Sequence, residues 1–116
     1  MSHVSTAYVN GDKLGGFISE KIYDYPWDPN ETAERLIAMP IETLKKEQTE
    51  LCKPWPNTYC FTKSLCERNL KKHRGNIPIF ICRPSIIISS NNEPVPGWTD
   101  SMAAAGPITN FFGVGL

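Results

Sequence analysis

The sequence predicts an α/β fold built on parallel strands, and three observations predict it. His3 to Val9 is rich in β-branched and aromatic residues and reads as a short buried strand. Ile77-Pro78-Ile79-Phe80-Ile81-Cys82 is a nearly continuous apolar run, which suits a strand covered on both faces. Between them lie segments with helical spacing and helix caps. Strand, helices, strand is the crossover pattern by which parallel strands are joined.

The elements follow in order. Asn10-Gly11-Asp12 and Gly15-Gly16 supply turn chemistry after the first strand. Residues 17–28 read as an irregular surface segment closing on Tyr25-Pro26-Trp27-Asp28-Pro29. Asn30 is a good helix cap, with Glu31 and Glu34 in the favourable first turn, and that helix is expected to run toward Ala38. Pro40 interrupts it and suits the first turn of a second helix reaching about Thr49. Lys53-Pro54-Trp55-Pro56 is a stiff loop. Asn57 or Thr58 then caps a third helix from Tyr59 to about His73, whose apolar positions Phe61, Leu65, Cys66 and Leu70 fall near helical spacing. Gly75-Asn76 stops it. Arg83-Pro84-Ser85 breaks the second strand's run, and Ile86 to Ile88 are read as an extension beyond it. From Asn91 onward the chain is Pro/Gly-rich, with a small helical candidate at 101–105.

Composition excludes several classes. The 116 residues hold twelve basic and twelve acidic side chains, a formal net charge of zero, which speaks against an electrostatic grip on nucleic acid or an acidic membrane. The densest basic cluster, Lys71-Lys72-His73-Arg74, reads as cations complementing a helix C-terminus. Cys52, Cys60, Cys66 and Cys82 show no C-x-x-C spacing, and neither His3 nor His73 completes a zinc pattern. No metal is expected. Reduced thiols in a cytosolic setting fit best, with Cys60 and Cys66 as packing residues. The apolar stretch 77–88 is interrupted by Arg83 and Pro84 and is too short to be a transmembrane segment.

The residues with chemical potential are Tyr59 and Lys63. A helix turns once in about 3.6 residues, so the two share a face. An ammonium near a phenol favours the phenolate. A tyrosine so tuned can hand a proton to a carbonyl oxygen as hydride arrives at carbon. Y-x-x-x-K alone is common by chance. Here a hydroxyl pair, Ser5-Thr6, follows a strand, and the turn Arg83-Pro84-Ser85 follows the next. In open α/β sheets ligands bind beyond the carboxyl ends of the strands, where all three features would converge.

Four segments carry a family resemblance: residues 3–8 (HVSTAY), 56–63 (PNTYCFTK), 81–87 (ICRPSII) and 93–100 (EPVPGWTD). Through them the chain resembles the fatty acyl-CoA reductases, an alcohol-forming branch of the extended short-chain dehydrogenase/reductases. The last two segments are far more specific than Y-x-x-x-K.

The resemblance implies the following. The fold is the C-terminal part of a Rossmann-type doubly wound parallel sheet, incomplete, with residues 1–116 forming part of a dinucleotide-binding domain. There is no G-x-G-x-x-G run in these residues, and the chain is expected to be an internal fragment without the glycine-rich half or a C-terminal domain. Tyr59 matches the catalytic acid, and Lys63 the lysine that bonds the nicotinamide ribose. The carbonyl-polarising hydroxyl falls at Ser5 or Thr6, with Thr6 favoured. Pro84 and Ser85 match the turn at the nicotinamide end. The implied cofactor is NADPH and the implied substrate a long-chain fatty acyl-CoA, reduced through an aldehyde to a primary alcohol. The implied setting is the cytosolic face of the endoplasmic reticulum or peroxisome. Pro107-Ile108 and Phe111-Phe112 are either border residues of a fatty-chain channel or ordinary core. The alternatives are another extended reductase or epimerase acting on a small carbonyl or sugar nucleotide, and a non-catalytic fragment. The chain alone is expected to be inactive.

Overall fold

The computed structural model describes residues 1–100, Leu14 excepted. Two parallel strands, β1 (Ser2–Val4) and β2 (Phe80–Cys82), pair in register Ser2 to Phe80, His3 to Ile81 and Val4 to Cys82. The connection between them contains helices α1 (Pro29–Ala38), α2 (Ile41–Leu51) and α3 (Thr58–His73). The α/β class and the parallel crossover are as the sequence predicts. The small-residue helix expected at 101–105, and the residues at 107–112, lie outside the described residues.

Both strands are shorter than their apolar runs. The first ends at Val4, not Val9, because Thr6 turns the chain: its Oγ1 accepts from Tyr8 N at 3.3 Å and caps a 3-10 turn at Ala7–Asn10. The second begins at Phe80, since Pro78 has no N–H to donate to a ladder. Neither strand is sandwiched. Val4 is 61% and Phe80 66% exposed, contrary to the expectation of a strand covered on both faces.

Helix starts are set by side-chain caps. Asp28, not Asn30, caps α1, accepting from Asn30 N at 2.9 Å and Glu31 N at 3.0 Å, with Pro29 at the first helical position. Pro40 immediately precedes α2, which has no side-chain cap and runs two residues past Thr49. Asn57 caps α3 by accepting from Cys60 N at 2.9 Å.

The core is aromatic. Trp55 and Phe61 stand 5.3 Å apart between ring centroids, and Tyr25 lies 4.9 Å from Trp55. Cys52, Cys60 and Leu65 complete the buried set, with Trp27, Ala33 and Leu36 packed against it. The segment at 17–28 is irregular, as expected, but its last residues are core material rather than surface: Tyr25 and Trp27 pack on α3. Trp55 Nε1 donates to the Val9 carbonyl at 2.9 Å, which ties this core to the turn after β1. All four cysteines are free thiols; Cys60 is buried, but Cys66 is exposed rather than a core residue. Its sulfur lies 3.9 Å from His3 Nε2.

Residues 1–83 form one compact unit, and 84 onward a second. Within the second, Ile86 to Ile88 form no strand and are exposed. Residues 90–98 close a loop on themselves: Ser90 N donates to Trp98 O and Gly97 N to Ser90 O, both at 2.8 Å. Gly97 takes a φ of +82°, a conformation that glycine adopts without strain.

Candidate functional site

The site starts from α3, which is held in place by the aromatic core on one side and by the strand ends on another. Capped at Asn57, the helix puts Tyr59 in its first turn and Lys63 one turn on, so the two share a face. Tyr59 is 52% exposed. Lys63 Nζ donates to the Val4 carbonyl oxygen at 3.2 Å. That oxygen belongs to the peptide group joining Val4 to Ser5. The N–H of the same group donates to Cys82 O at 2.7 Å, extending the β1–β2 ladder by one bond.

Because β1 ends at Val4, Ser5 and Thr6 follow its carboxyl end, where a ligand of a parallel sheet is met. Both are 3% exposed. Their hydroxyls differ in occupation. Thr6 Oγ1 accepts from Tyr8 N, whereas Ser5 Oγ is buried with no hydrogen-bond partner among the described residues. A buried polar atom without a partner costs free energy unless something fills the vacancy in its bonding. The structure thus brings Lys63 to the peptide group that leads into Ser5 and Thr6, with Tyr59 one turn earlier on α3. Pro84 and Ser85 belong to the second unit; there Pro84 is half-buried and Ser85 exposed.

Two charged residues next along α3 were not singled out from sequence. Glu67, 1% exposed, accepts from Arg83 Nε at 2.9 Å and from Arg83 Nη2 at 2.5 Å. Arg83 Nη2 also donates to the Lys21 carbonyl at 3.1 Å. The Glu67 hydrogen bonds push the Arg83 guanidinium above its usual range. Their places in the sequence, Glu67 four residues after Lys63 and Arg83 directly before Pro84, carry no signal of this pairing, because the partners lie sixteen residues apart, one on α3 and the other just after β2.

Arg68 is the second omission. It sits at the i+7 position from Phe61, on the apolar stripe, and is 6% exposed. Its guanidinium carbon lies 3.9 Å from the Trp27 ring centroid, 4.4 Å from Tyr25 and 5.1 Å from Trp55. Its Nε donates to Ser64 O at 3.2 Å. Burial lowers its pKa to about 10, opposed by the charges of Tyr25, Asp12 and Glu67. The Tyr25 hydroxyl in turn donates to Asp12 Oδ2. Burial, then this bond to a carboxylate, raises the Tyr25 pKa.

The basic cluster at the end of α3 is engaged within the fold. Lys71 pairs with Asp24 at 2.7 Å and Lys72 with Asp28. The hydrogen bond from Lys72 and those from Glu31 N and Asn30 N hold the Asp28 carboxyl below its ordinary range. Among the described residues no group of three metal-ligating side chains occurs, and no helix is long and apolar enough to cross a membrane.

The chain as a whole is similar to known proteins. The family described as Male sterility protein, a family of NAD-binding domains, matches residues 1–115. "Probable fatty acyl-CoA reductase 5" of Arabidopsis thaliana is 36% identical over 138 residues, covering 98% of this chain and 28% of the relative. "Alcohol-forming fatty acyl-CoA reductase" of Simmondsia chinensis is 34% identical, covering 97% and 27%. "Fatty acyl-CoA reductase 1" of Xenopus laevis is 37% identical, covering 97% and 21%. The chain therefore spans between about a fifth and just over a quarter of these relatives' lengths. No solved structure matches it.

Proposed function

Because the chain belongs to the Male sterility protein family of NAD-binding domains, we propose that it contributes the hydroxyl–Tyr–Lys site of an NADPH-dependent fatty acyl-CoA reductase. The substrate is a long-chain acyl-CoA thioester, reduced to an aldehyde and then to a primary alcohol. The observation that carries this reading is the contact of Lys63 with the Val4–Ser5 peptide group, beside two buried hydroxyls. The names of the relatives support the substrate class over a sugar nucleotide or small ketone.

The residues present fit a nicotinamide cofactor in one testable respect. Ser5 Oγ, buried and without a hydrogen-bond partner among the described residues, follows a parallel strand's carboxyl end, and the preceding Val4 carbonyl accepts from Lys63. Tyr59 and Lys63 are the residues assigned to hold the nicotinamide end. When bound, the reduced nicotinamide supplies hydride. The Ser5 or Thr6 hydroxyl donates a hydrogen bond to the substrate carbonyl oxygen and polarises it. Tyr59 donates its proton to the oxygen as negative charge develops there. Lys63 places a positive charge close to that developing oxyanion. In the thioester step the tetrahedral oxygen gives its proton back to Tyr59 and re-forms the carbonyl as the C–S bond breaks and CoA leaves as a thiolate; in the aldehyde step the protonated oxygen becomes the alcohol.

The two exposed strands support a further part of the reading, that they belong to a larger doubly wound sheet. We place the full-length protein at the cytosolic face of the endoplasmic reticulum or peroxisome, on the strength of the family resemblance. The deciding experiment is palmitoyl-CoA reduction by the full-length protein, with aldehyde and alcohol quantified by gas chromatography. NADPH-dependent hexadecanol formation that falls a hundredfold or more in Tyr59→Phe is the expected result. Undiminished turnover in that variant, or turnover of small ketones in place of acyl-CoA, overturns the reading.

A further inference from the structure

Four contacts in the first unit close a ring around the carboxyl ends of the two strands. Lys63 on α3 bonds the Val4 carbonyl. The N–H of the same peptide group, from Ser5, bonds the Cys82 carbonyl. Cys82 is followed by Arg83, whose guanidinium grips Glu67 with two parallel bonds at 2.9 and 2.5 Å. Glu67 lies one helical turn from Lys63, on the same face of α3, so the path returns to its start. The third Arg83 bond, to the Lys21 carbonyl, adds the segment before α1.

We propose that Glu67 and Arg83 are positioning residues that fix the rotation and depth of α3 against the strand ends, and so the placement of Lys63. The proposal rests on the reading of Lys63 given above. A paired arginine and carboxylate have one favoured planar geometry, so the bond restrains orientation as well as distance. A buried ion pair is a poor source of net stability, because desolvating both charges offsets most of their attraction. A carboxylate at 1% exposure is therefore more economically explained by the geometry it imposes than by the stability it contributes. Lys63 has a single bond to a backbone oxygen, which does not by itself stop the helix from turning or sliding. The ring needs its opposite side closed.

The test has two arms. In this chain, acetylation of Lys63 is followed by mass spectrometry in Glu67→Gln, Arg83→Lys and the apolar double variant Glu67→Met/Arg83→Met. In the full-length protein, kcat and KM for palmitoyl-CoA are measured in the same variants, and in the swapped pair Glu67→Arg/Arg83→Glu. Melting curves identify the variants that remain folded. The expected result is a several-fold rise in Lys63 labelling and a fall in kcat of tenfold or more, with KM changed less than threefold and partial recovery in the swap. Unchanged labelling in a folded variant overturns the ring. Raised labelling with unchanged kcat, where Tyr59→Phe is inactive, overturns the positioning role. Full activity in Tyr59→Phe overturns the underlying site reading, while the labelling arm still reads the ring.

Discussion

Lys63 Nζ donates to the carbonyl of Val4, fifty-nine residues earlier in the chain, at 3.2 Å. The acceptor's own peptide N–H is the last donor in the β1–β2 pairing. One peptide group thereby joins helix α3 to both strands, next to the two hydroxyls assigned to the substrate carbonyl. Lys63→Met keeps the aliphatic stem and removes the donor. Turnover in the full-length protein is expected to fall by tenfold or more, while the melting temperature changes little. Full activity in a folded Lys63→Met variant would contradict the assignment.

Ser5 and Thr6 are separable by experiment. Thr6→Val removes both the hydroxyl and the cap of the 3-10 turn, whereas Ser5→Ala removes an atom with no partner among the described residues. Ser5→Ala is therefore expected to leave stability unchanged or slightly raised, and Thr6→Val to lower it by about 1 kcal/mol. Of the two, the variant that loses most kcat after correction for the folded fraction identifies the polarising hydroxyl. Equal, small losses in both would remove the pair from the mechanism.

Trp55 is the residue on which the first unit's packing converges. It is 3% exposed, touches Tyr25, Trp27 and Phe61, and bonds Val9 O. Trp55→Ala is expected to cost about 3–5 kcal/mol. Trp55→Phe preserves much of the packing but leaves the Val9 carbonyl unpaired, so a smaller loss is expected. Chemical denaturation followed by circular dichroism measures both. A loss below about 1 kcal/mol for the alanine variant would mean that the aromatic cluster is not the core.

Asp28 predicts an acid-side dependence. Its folded pKa lies below the usual value because Lys72 and the α1 backbone amides favour the carboxylate. In the interval between the folded and unfolded values the unfolded chain binds more protons, so stability falls as pH falls. The contribution is present above the usual carboxylate range and is lost as pH drops through the folded value. Asp28→Asn keeps a capping side chain without the charge. Its melting temperature should lie below the wild type's at neutral pH and converge with it in acid. A constant gap across pH would show that the charge is not involved.

Tyr25 predicts the opposite edge. Burial and the bond to Asp12 raise its pKa. Above about pH 10 the unfolded chain loses this proton while the folded chain keeps it, so stability declines as pH rises. Ultraviolet titration of tyrosinate should show a late-ionising component that is absent from Tyr25→Phe. Its persistence in that variant would assign it to another residue.

Much of the fold was legible along the chain because local signals decide local structure. Asn57 before a run of apolar positions at helical spacing marks α3, and Gly75 marks its end. The family match covering residues 1–115 agrees with the resemblance drawn from four short segments. The strand limits were less legible. Apolar character ran through Val9, but the Thr6 side chain found a nearer partner in Tyr8 N than any strand offered.

By itself the sequence determined the three helices, the parallel crossover that they make, and which helix face presents Tyr59 and Lys63, since caps and periodicity act over only a few residues. Tertiary structure alone decided which carbonyl Lys63 meets, that the Ser5 hydroxyl has no partner among the described residues while the Thr6 hydroxyl has one, and that Glu67 and Arg68 are buried. The physical reason is range. A buried charge is tolerated only where distant residues, here Arg83 for Glu67 and three aromatic rings for Arg68, supply what water would otherwise provide, and no local pattern encodes such a meeting.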